Sequence, residues 1–164
     1  MKKLRKYAIC ENVIYEAAYG SVSKEKLMKY IKDREVINFY YEDPTDAENP
    51  LPGPRTVEPY VIGRRKNGRY YLRAYMIADT SKDEATMKMT KRRSTSKSAG
   101  PGKAKRSGWR LFRIDRIQWL VGDGKIFSRY RAGYNENGDK QLDTIIFQLK
   151  KSDFPYGENP NTLF

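Results

Sequence analysis

The chain has 164 residues, of which 38% are hydrophobic and 32% are charged, and its formal net charge at neutral pH is +13. This length favours one domain with a real core. The positive charge favours an anionic partner such as nucleic acid, an anionic membrane surface or an acidic protein. The absence of histidine excludes imidazole-based catalysis and imidazole zinc sites, the single cysteine excludes an intrachain disulfide, and no apolar run approaches the roughly 20 residues of a membrane span.

The first third of the chain predicts an arm, a helix and a strand. Residues 1–20 mix helical and alternating patterns and are expected to form an N-terminal arm or strand. Residues 21–34 predict one short amphipathic helix, because Ser23 is a good N-cap and Leu27, Tyr30 and Ile31 follow at helical spacing. Residues 35–42 are rich in strand-forming residues, and the proline-rich residues 43–54 predict a loop.

Residues 55–75 predict a β-hairpin around Asn67-Gly68, which favours a two-residue type I′ turn. Such a turn would set Gly63 opposite Leu72 and Tyr60 opposite Tyr75. Alternation then predicts a core face of apolar residues, namely Pro59, Val61, Leu72, Ala74 and Met76. The opposite face would carry rings, guanidinium groups and one isoleucine, at Tyr60, Ile62, Arg64, Tyr71, Arg73 and Tyr75.

Residues 79–107 form a basic, low-complexity insertion with 9 basic and 3 acidic side chains. Its cations are candidates for an electrostatic arm that contacts nucleic acid or an acidic partner: Lys91, Arg92, Arg93, Lys97, Lys103, Lys105 and Arg106. The alternative is a solvated loop without a binding role.

The rest of the chain predicts more short strands. Strands are expected at 109–114 and 117–121, a turn at 122–124, and further strands at 125–130 and 141–149. We therefore expect additional strands over 122–153 and a C-terminal tail over 154–164. Asp139 and Asp143 show no identifiable partner. With one helix and several strands, the sequence predicts a mainly β (α+β) fold, as a small, strongly bent sheet or barrel with extended arms.

Two blocks together resemble the WYL domain family, which is named for a Trp-Tyr-Leu tripeptide. The first block is R-T-V-E-P-Y followed by G-R-Y-Y-L-R-A-Y, where the tripeptide is Tyr70-Tyr71-Leu72, so its first letter departs from the pattern. The second block is G-W-R-L-F-R-I-D-R-I. The resemblance covers residues 35–121, interrupted by the basic insertion.

This resemblance implies an Sm-like, SH3-type β-barrel that senses a ligand or binds nucleic acid, usually in transcription regulation. It also implies a basic pocket at the matching positions: Arg55, Tyr60, Tyr71, Arg73, Arg110, Arg113 and Arg116. Arginine forks suit phosphate and tyrosine rings suit stacking on bases. The alternative is structural, because Arg113, Asp115 and Arg116 could form an ion-pair network and Tyr71 and Tyr75 could be ordinary strand aromatics.

The expected function is a regulatory, non-catalytic module that binds single-stranded nucleic acid or a nucleotide-like anion and needs no cofactor. One helix is too little for a helix-turn-helix, so the chain resembles a stand-alone member of the family, of a kind that phages also encode. The alternative is a structural component of a larger or oligomeric assembly, docking through the basic loop and the tail. We expect a cytoplasmic location, in the host cell, or a place in the virion.

Overall fold

The computed structural model describes residues 22–46, 51–79 and 108–159, which fold into one helix and an antiparallel sheet of six strands. The elements are α1 (Lys24–Asp33), β1 (Glu35–Tyr41), β2 (Gly53–Arg64), β3 (Tyr70–Asp79), β4 (Trp109–Arg113), β5 (Ile117–Ile126) and β6 (Thr144–Gln148), with 3-10 helices at Ile114–Arg116 and Lys151–Asp153. The mainly β prediction with one helix is confirmed. The predicted N-terminal arm lies outside the described residues.

The sheet is bent around β2, which pairs with three other strands. The strand order is β4-β3-β2-β1-β5, and β6 pairs with the far end of β2. Among the described residues the end strands β4 and β5 do not pair with each other, so the barrel prediction is not confirmed. Side-chain and loop contacts span that opening instead: the Arg113 N–H donates to the Tyr41 hydroxyl at 3.2 Å, and the Glu42 N–H donates to the Arg116 carbonyl at 3.4 Å.

Helix α1 begins where the sequence predicts, because the Ser23 hydroxyl accepts a hydrogen bond from the Lys26 N–H at 3.1 Å. Leu27 and Ile31 are fully buried on the face that packs against β1 and β2. The polar side of the helix also holds the edge strand, since Lys26 Nζ donates to the Leu120 carbonyl at 3.0 Å. The helix therefore covers one end of the sheet.

The hairpin turn differs from the prediction. Gly68 has a positive φ of 79°, whereas Asn67 does not share the left-handed region, and a type I′ turn requires positive φ at both residues. The Arg65 N–H bonds to the Arg69 carbonyl and the Gly68 N–H bonds to the Arg65 carbonyl, which closes a three-residue loop. The register is shifted accordingly, with Gly63 opposite Tyr71 and Glu58 opposite Tyr75.

The predicted division of the hairpin into a core face and an open face is also wrong. Leu72 and Ala74 are buried as expected, but Tyr60 and Ile62 on the supposedly open face are fully buried too. The cover is the segment after β5, which crosses this face and packs Phe127, Tyr134, Leu142, Leu149 and Phe154 into the core. The hairpin is therefore a central element of a two-sided core.

The structure also corrects the predicted elements after residue 121. Residues 122–124 do not form a hairpin turn. β5 continues to Ile126, with a register irregularity opposite β1 between the pairs Ile37–Gly122 and Glu35–Ile126. The predicted strand at 125–130 is reduced to the end of β5 and a single bridge between Tyr130 and Glu158. The last strand is shorter than predicted, at Thr144–Gln148.

Candidate ligand-binding site

A cavity of about 270 Å³ lies beside the β2–β3 loop, and we call it the hairpin pocket. Four parts of the chain meet there: the loop after β1, the hairpin, β4 and the segment before β6. The lining side chains are mostly polar or charged, and they are Asp43, Thr45, Asp46, Arg65, Arg69, Tyr71, Leu111, Arg113 and Gln141. Of the seven predicted ligand contacts, the pocket brings together Tyr71 and Arg113.

Two arginines flank the hairpin loop at this pocket. The guanidinium carbon of Arg65 lies 4.6 Å from the centroid of the Tyr71 ring, and its Nε donates to the Gln141 carbonyl at 2.9 Å. Arg69 is exposed, and within the described residues its side chain makes no ion pair. The pocket therefore has one oriented cation stacked on a ring and one cation available to an incoming anion.

Arg113 occupies the inner wall and is held by two carboxylates. It lies 3.2 Å from Asp43 and makes two contacts to Asp115, at 2.8 and 3.2 Å. The side chains of Arg113 and Asp43 are only 10% and 1% exposed. This guanidinium is largely neutralised before any ligand arrives.

The surroundings of Asp43 and Arg113 determine whether each of them is charged. Burial alone would raise the pKa of Asp43, but hydrogen bonds from Thr45 and the positive charges of Arg113 and Arg116 hold that pKa below its usual value. Burial works against the charged form of Arg113, yet the hydrogen bond and charge of Asp115 keep its pKa above the ordinary value. Both partners are therefore ionised at neutral pH, and the network is an ion cluster.

Arg73 does not line the hairpin pocket, and it pairs with Asp139. Arg73 Nε lies 2.5 Å from Asp139, and the two side chains are 14% and 12% exposed. Arg73 also donates to the Gln141 side chain at 2.8 Å. Burial would raise the pKa of Asp139, but the hydrogen bonds from Arg73 and from the Gln141 N–H lower it overall. Asp139 therefore has the partner that the sequence did not reveal.

The remaining predicted arginines do not converge on one site. Arg55 is 2% exposed, and its guanidinium donates to the carbonyls of Leu51 and Pro54. Arg110 is half-buried and donates to the Trp109 carbonyl at 2.8 Å. Arg116 is exposed beside Asp115. Neither Arg55, Arg110 nor Arg116 lines the hairpin pocket.

Tyr60 lies at the centre of a cluster of aromatic rings, which we call the Tyr60 cluster. Its ring centroid is between 4.7 and 5.9 Å from those of Trp109, Phe127, Tyr134 and Phe154. Its hydroxyl accepts the Arg131 N–H at 3.0 Å, and burial raises its pKa far above the usual value. In this structure Tyr60 is a core residue with no route to a ligand.

A family model for the WYL domain matches residues 24–121, which include α1, the hairpin and β4. The chain belongs to the WYL domain family. No curated protein matches it. Among solved structures it is similar to Proteasome accessory factor B/C (PafBC) of Arthrobacter aurescens, at 15% identity and a TM-score of 0.43. That match covers 77% of this chain but 16% of PafBC, so the chain spans a small part of that protein.

The match to the WYL domain ends before the segment that covers the hairpin. Residues 127–159 supply the cover of the Tyr60 cluster as well as Gln141 and Asp139, and they follow the matched range. β6 packs closely onto β2 because Gly63 leaves room, since a Cβ there would lie 2.7 Å from Leu142 and from the Thr144 carbonyl. The matched domain and this segment therefore share one core.

Sequence reasoning missed seven of the nine residues that line the hairpin pocket of this WYL domain, and these are Asp43, Thr45, Asp46, Arg65, Arg69, Leu111 and Gln141. A signal for two of them was present, because Arg65 and Arg69 flank the Asn67-Gly68 turn and hairpin tips are usually exposed. No local signal connects Asp43 or Gln141 to the hairpin.

Three further features of this WYL domain protein are the basic loop, metal binding and membrane spanning. The predicted cations of the basic loop, from Lys91 to Arg106, lie outside the described residues. Within residues 22–46, 51–79 and 108–159, no group of three or more His, Cys, Asp or Glu side chains is placed to hold a metal ion. The described helix is too short and too polar to cross a membrane.

Proposed function

We propose that this WYL domain protein is a regulatory, non-catalytic module that binds single-stranded nucleic acid or a nucleotide-like anion at the hairpin pocket. The observation that carries the proposal is the placement of Arg65 and Arg69 on the two sides of the hairpin loop, beside the Tyr71 ring. A guanidinium fork binds phosphate oxygens, and an adjacent ring and guanidinium plane give a base a surface to stack on.

The charge of the pocket limits what it binds. Its lining contains three arginines, Arg65, Arg69 and Arg113, and two aspartates, Asp43 and Asp46, so the sum of these charges is 3 − 2 = +1. A polyphosphate would meet repulsion from the aspartates, whereas one phosphate group with an attached base matches both the charge and the ring. We therefore expect one or two phosphate contacts at this site.

The proposal assigns different roles to the seven residues predicted from the family resemblance. Tyr71 and Arg113 serve the pocket directly, as stacking surface and inner wall. Arg110 and Arg116 remain candidate contacts for a longer strand that extends beyond the pocket. The buried or paired residues Arg55, Tyr60 and Arg73 support the fold that presents the pocket.

Binding of a labelled single-stranded oligonucleotide across a salt series tests the proposal. In the double variant Arg65→Ala/Arg69→Ala we expect affinity at least tenfold weaker, and a salt slope smaller by about 0.7 to 1.4 because one or two single-strand phosphate contacts are lost. The matched control removes two exposed cations from α1, Lys29→Ala/Lys32→Ala, and should change affinity less than twofold. Equal losses in both variants would show that binding follows net charge rather than the pocket.

A structural role is the second candidate, and the carboxylate partners of the arginines favour it. Arg73, Arg113 and Arg131 each form an ion pair with Asp139, Asp43 or Glu58 in which both side chains are less than 15% exposed. Arginines that are neutralised by carboxylates of the same chain suit a scaffold, which would dock to its partners through the basic loop and the tail. Deletion of residues 91–106 separates the two functions: if it alone abolishes binding while the arginine variant binds normally, the sheet is a scaffold.

A further inference from the structure

A second cavity, of about 360 Å³, lies between the sheet and the segment before β6, on the other side of Gln141 from the hairpin pocket. We call it the C-terminal cavity. Its apolar wall consists of Val61, Trp109 and Tyr134, and its polar rim carries Lys140 and Gln141. Most of the lining residues lie within 133–141, beyond the range that the family model matches. The cavity is therefore built in part by residues outside the matched range.

Trp109 gives this cavity a rigid aromatic surface. The indole N–H donates to the Ala132 carbonyl at 2.8 Å, which fixes the ring plane. One neighbour is the nearly parallel Tyr134 ring, with centroids 5.8 Å apart. Trp109 remains only half-buried despite these contacts and it borders the cavity. A planar ring that enters the cavity would bury this remaining indole surface.

The charges around the cavity favour an anion. Arg73 and Asp139 both border it, but they neutralise each other in a close ion pair. Lys140 is exposed, and it makes no ion pair with any residue in the described part of the chain. The net charge of the lining is therefore +1, carried by a flexible ammonium group at the rim above an aromatic wall.

We propose that the C-terminal cavity is a second binding site, for a small aromatic carboxylate of one or two fused rings. The ring packs against Trp109 and Val61, and the carboxylate lies at the rim beside Lys140. Pockets of 300 Å³ or somewhat more with an apolar wall and few polar groups are typical for ligands of this size. The proposal does not depend on the hairpin pocket, because the two cavities share Gln141 as a lining side chain but no cation.

The two tryptophans of the chain allow a direct test on the whole 164-residue chain. Trp109 borders the cavity, and Trp119 lies on β5, away from it. Their indole N–H signals are followed in ¹H–¹⁵N spectra during titration with 2-naphthoate, and a Trp119→Phe variant assigns the two signals. We expect a saturable shift of the Trp109 signal and of amides in residues 133–141, with little change at Trp119.

The role of the carboxylate is tested with a neutral ligand and with charge variants. The neutral analogue 2-naphthamide should bind about tenfold more weakly than 2-naphthoate, and Lys140→Glu should weaken 2-naphthoate binding about tenfold. Lys140→Arg should stay within about threefold of the unaltered protein, and the remote charge reversal Lys29→Glu should have no effect. Absence of a saturable Trp109 shift, or equal affinity for both ligands with Lys140→Glu unchanged, would overturn the proposal.

Discussion

The Tyr60 cluster and the hairpin pocket lie along the same two strands and use the same residue types, yet their environments are opposite. Tyr60 is 0% exposed and surrounded by four other rings, and Glu58 beside it accepts two hydrogen bonds from Arg131. Nearer the hairpin loop on the same two strands, Tyr71 has Arg65 stacked on its ring, and Arg69 is exposed. Arginine and tyrosine therefore serve the core in one region of the hairpin and face a cavity in the other.

The difference between the Tyr60 cluster and the hairpin pocket comes from the segments that cover each of them. The segment after β5 lays the rings of Phe127, Tyr134 and Phe154 over Tyr60. Beside the hairpin loop the same segment contributes polar groups instead, such as the Gln141 carbonyl that accepts a hydrogen bond from Arg65. Carboxylates complete the division, because Glu58 neutralises Arg131 whereas Arg69 has no such partner among the described residues. A residue's type thus suggests a chemistry, but the packing of distant segments decides whether a ligand can use it.

The largest effect is expected from Tyr60→Ala, which tests whether the Tyr60 end is core. Truncation removes a fully buried ring and should lower the free energy of unfolding by about 3–5 kcal/mol, measured by chemical denaturation. The control Tyr156→Ala removes a ring that is 64% exposed and should cost less than about 0.5 kcal/mol. Similar losses in the two variants would mean that the segment after β5 does not cover Tyr60 in solution.

Glu58→Ala examines the ion pair beside that cluster. It leaves Arg131 buried without its carboxylate and should reduce the free energy of unfolding by about 3 kcal/mol. Lys125→Ala, which breaks an exposed pair with Asp123, should cost less than about 1 kcal/mol. If denaturation shows no greater loss for Glu58→Ala than for Lys125→Ala, the pair is solvated and this end is more open than the structure shows.

Local sequence signals predicted most of the elements but not how they cover one another. The Ser23 cap, the strand-forming run after Glu35 and the position of the hairpin loop all follow from near neighbours in sequence. The loop type does not, because a type I′ turn and the observed three-residue loop both favour glycine at position 68. Residues 122–124 resemble a turn, yet pairing with β1 and the Tyr30 hydroxyl, which accepts the Gly122 N–H, hold them in β5.

The candidate site was less predictable because its parts come from distant positions. Tyr71 and Arg113 follow from the family motif, and both line the hairpin pocket. Asp43 is 70 residues from its partner Arg113, and Asp139 is 66 residues from Arg73, so no local pattern links either pair. The sequence therefore indicated which arginines to consider, but only the fold shows which of them are already neutralised.

The third prediction concerns Asp139, which pairs with Arg73 beside the C-terminal cavity. Its folded-state pKa lies below the ordinary 3.8, so its ionised form stabilises the fold above about pH 4, and this contribution is lost as pH falls through the lowered pKa. We expect Asp139→Asn to cost about 1–2 kcal/mol at neutral pH. The difference from the unaltered protein should shrink below pH 4.

Urea denaturation at pH 7 and at pH 3 measures this change, and Asp33→Asn serves as a control that removes an exposed carboxylate from the end of α1. The control should shift the free energy of unfolding by less than about 0.5 kcal/mol at neutral pH. A difference for Asp139→Asn that stays constant between the two pH values would show that Asp139 has the same pKa folded and unfolded.

The smallest effect is expected at the hairpin loop, from Gly68→Ala. Its φ of 79° is unfavourable for an L-residue, but an added Cβ would meet no atom within 4 Å, so only backbone strain of about 1 kcal/mol should result. Lys66→Ala, whose side chain is 91% exposed, is the matched control and should stay within about 0.5 kcal/mol. A loss at Gly68 close to that of Tyr60→Ala would mean that the loop is packed against something in solution, and then Arg69 could not be the available cation on which the hairpin pocket depends.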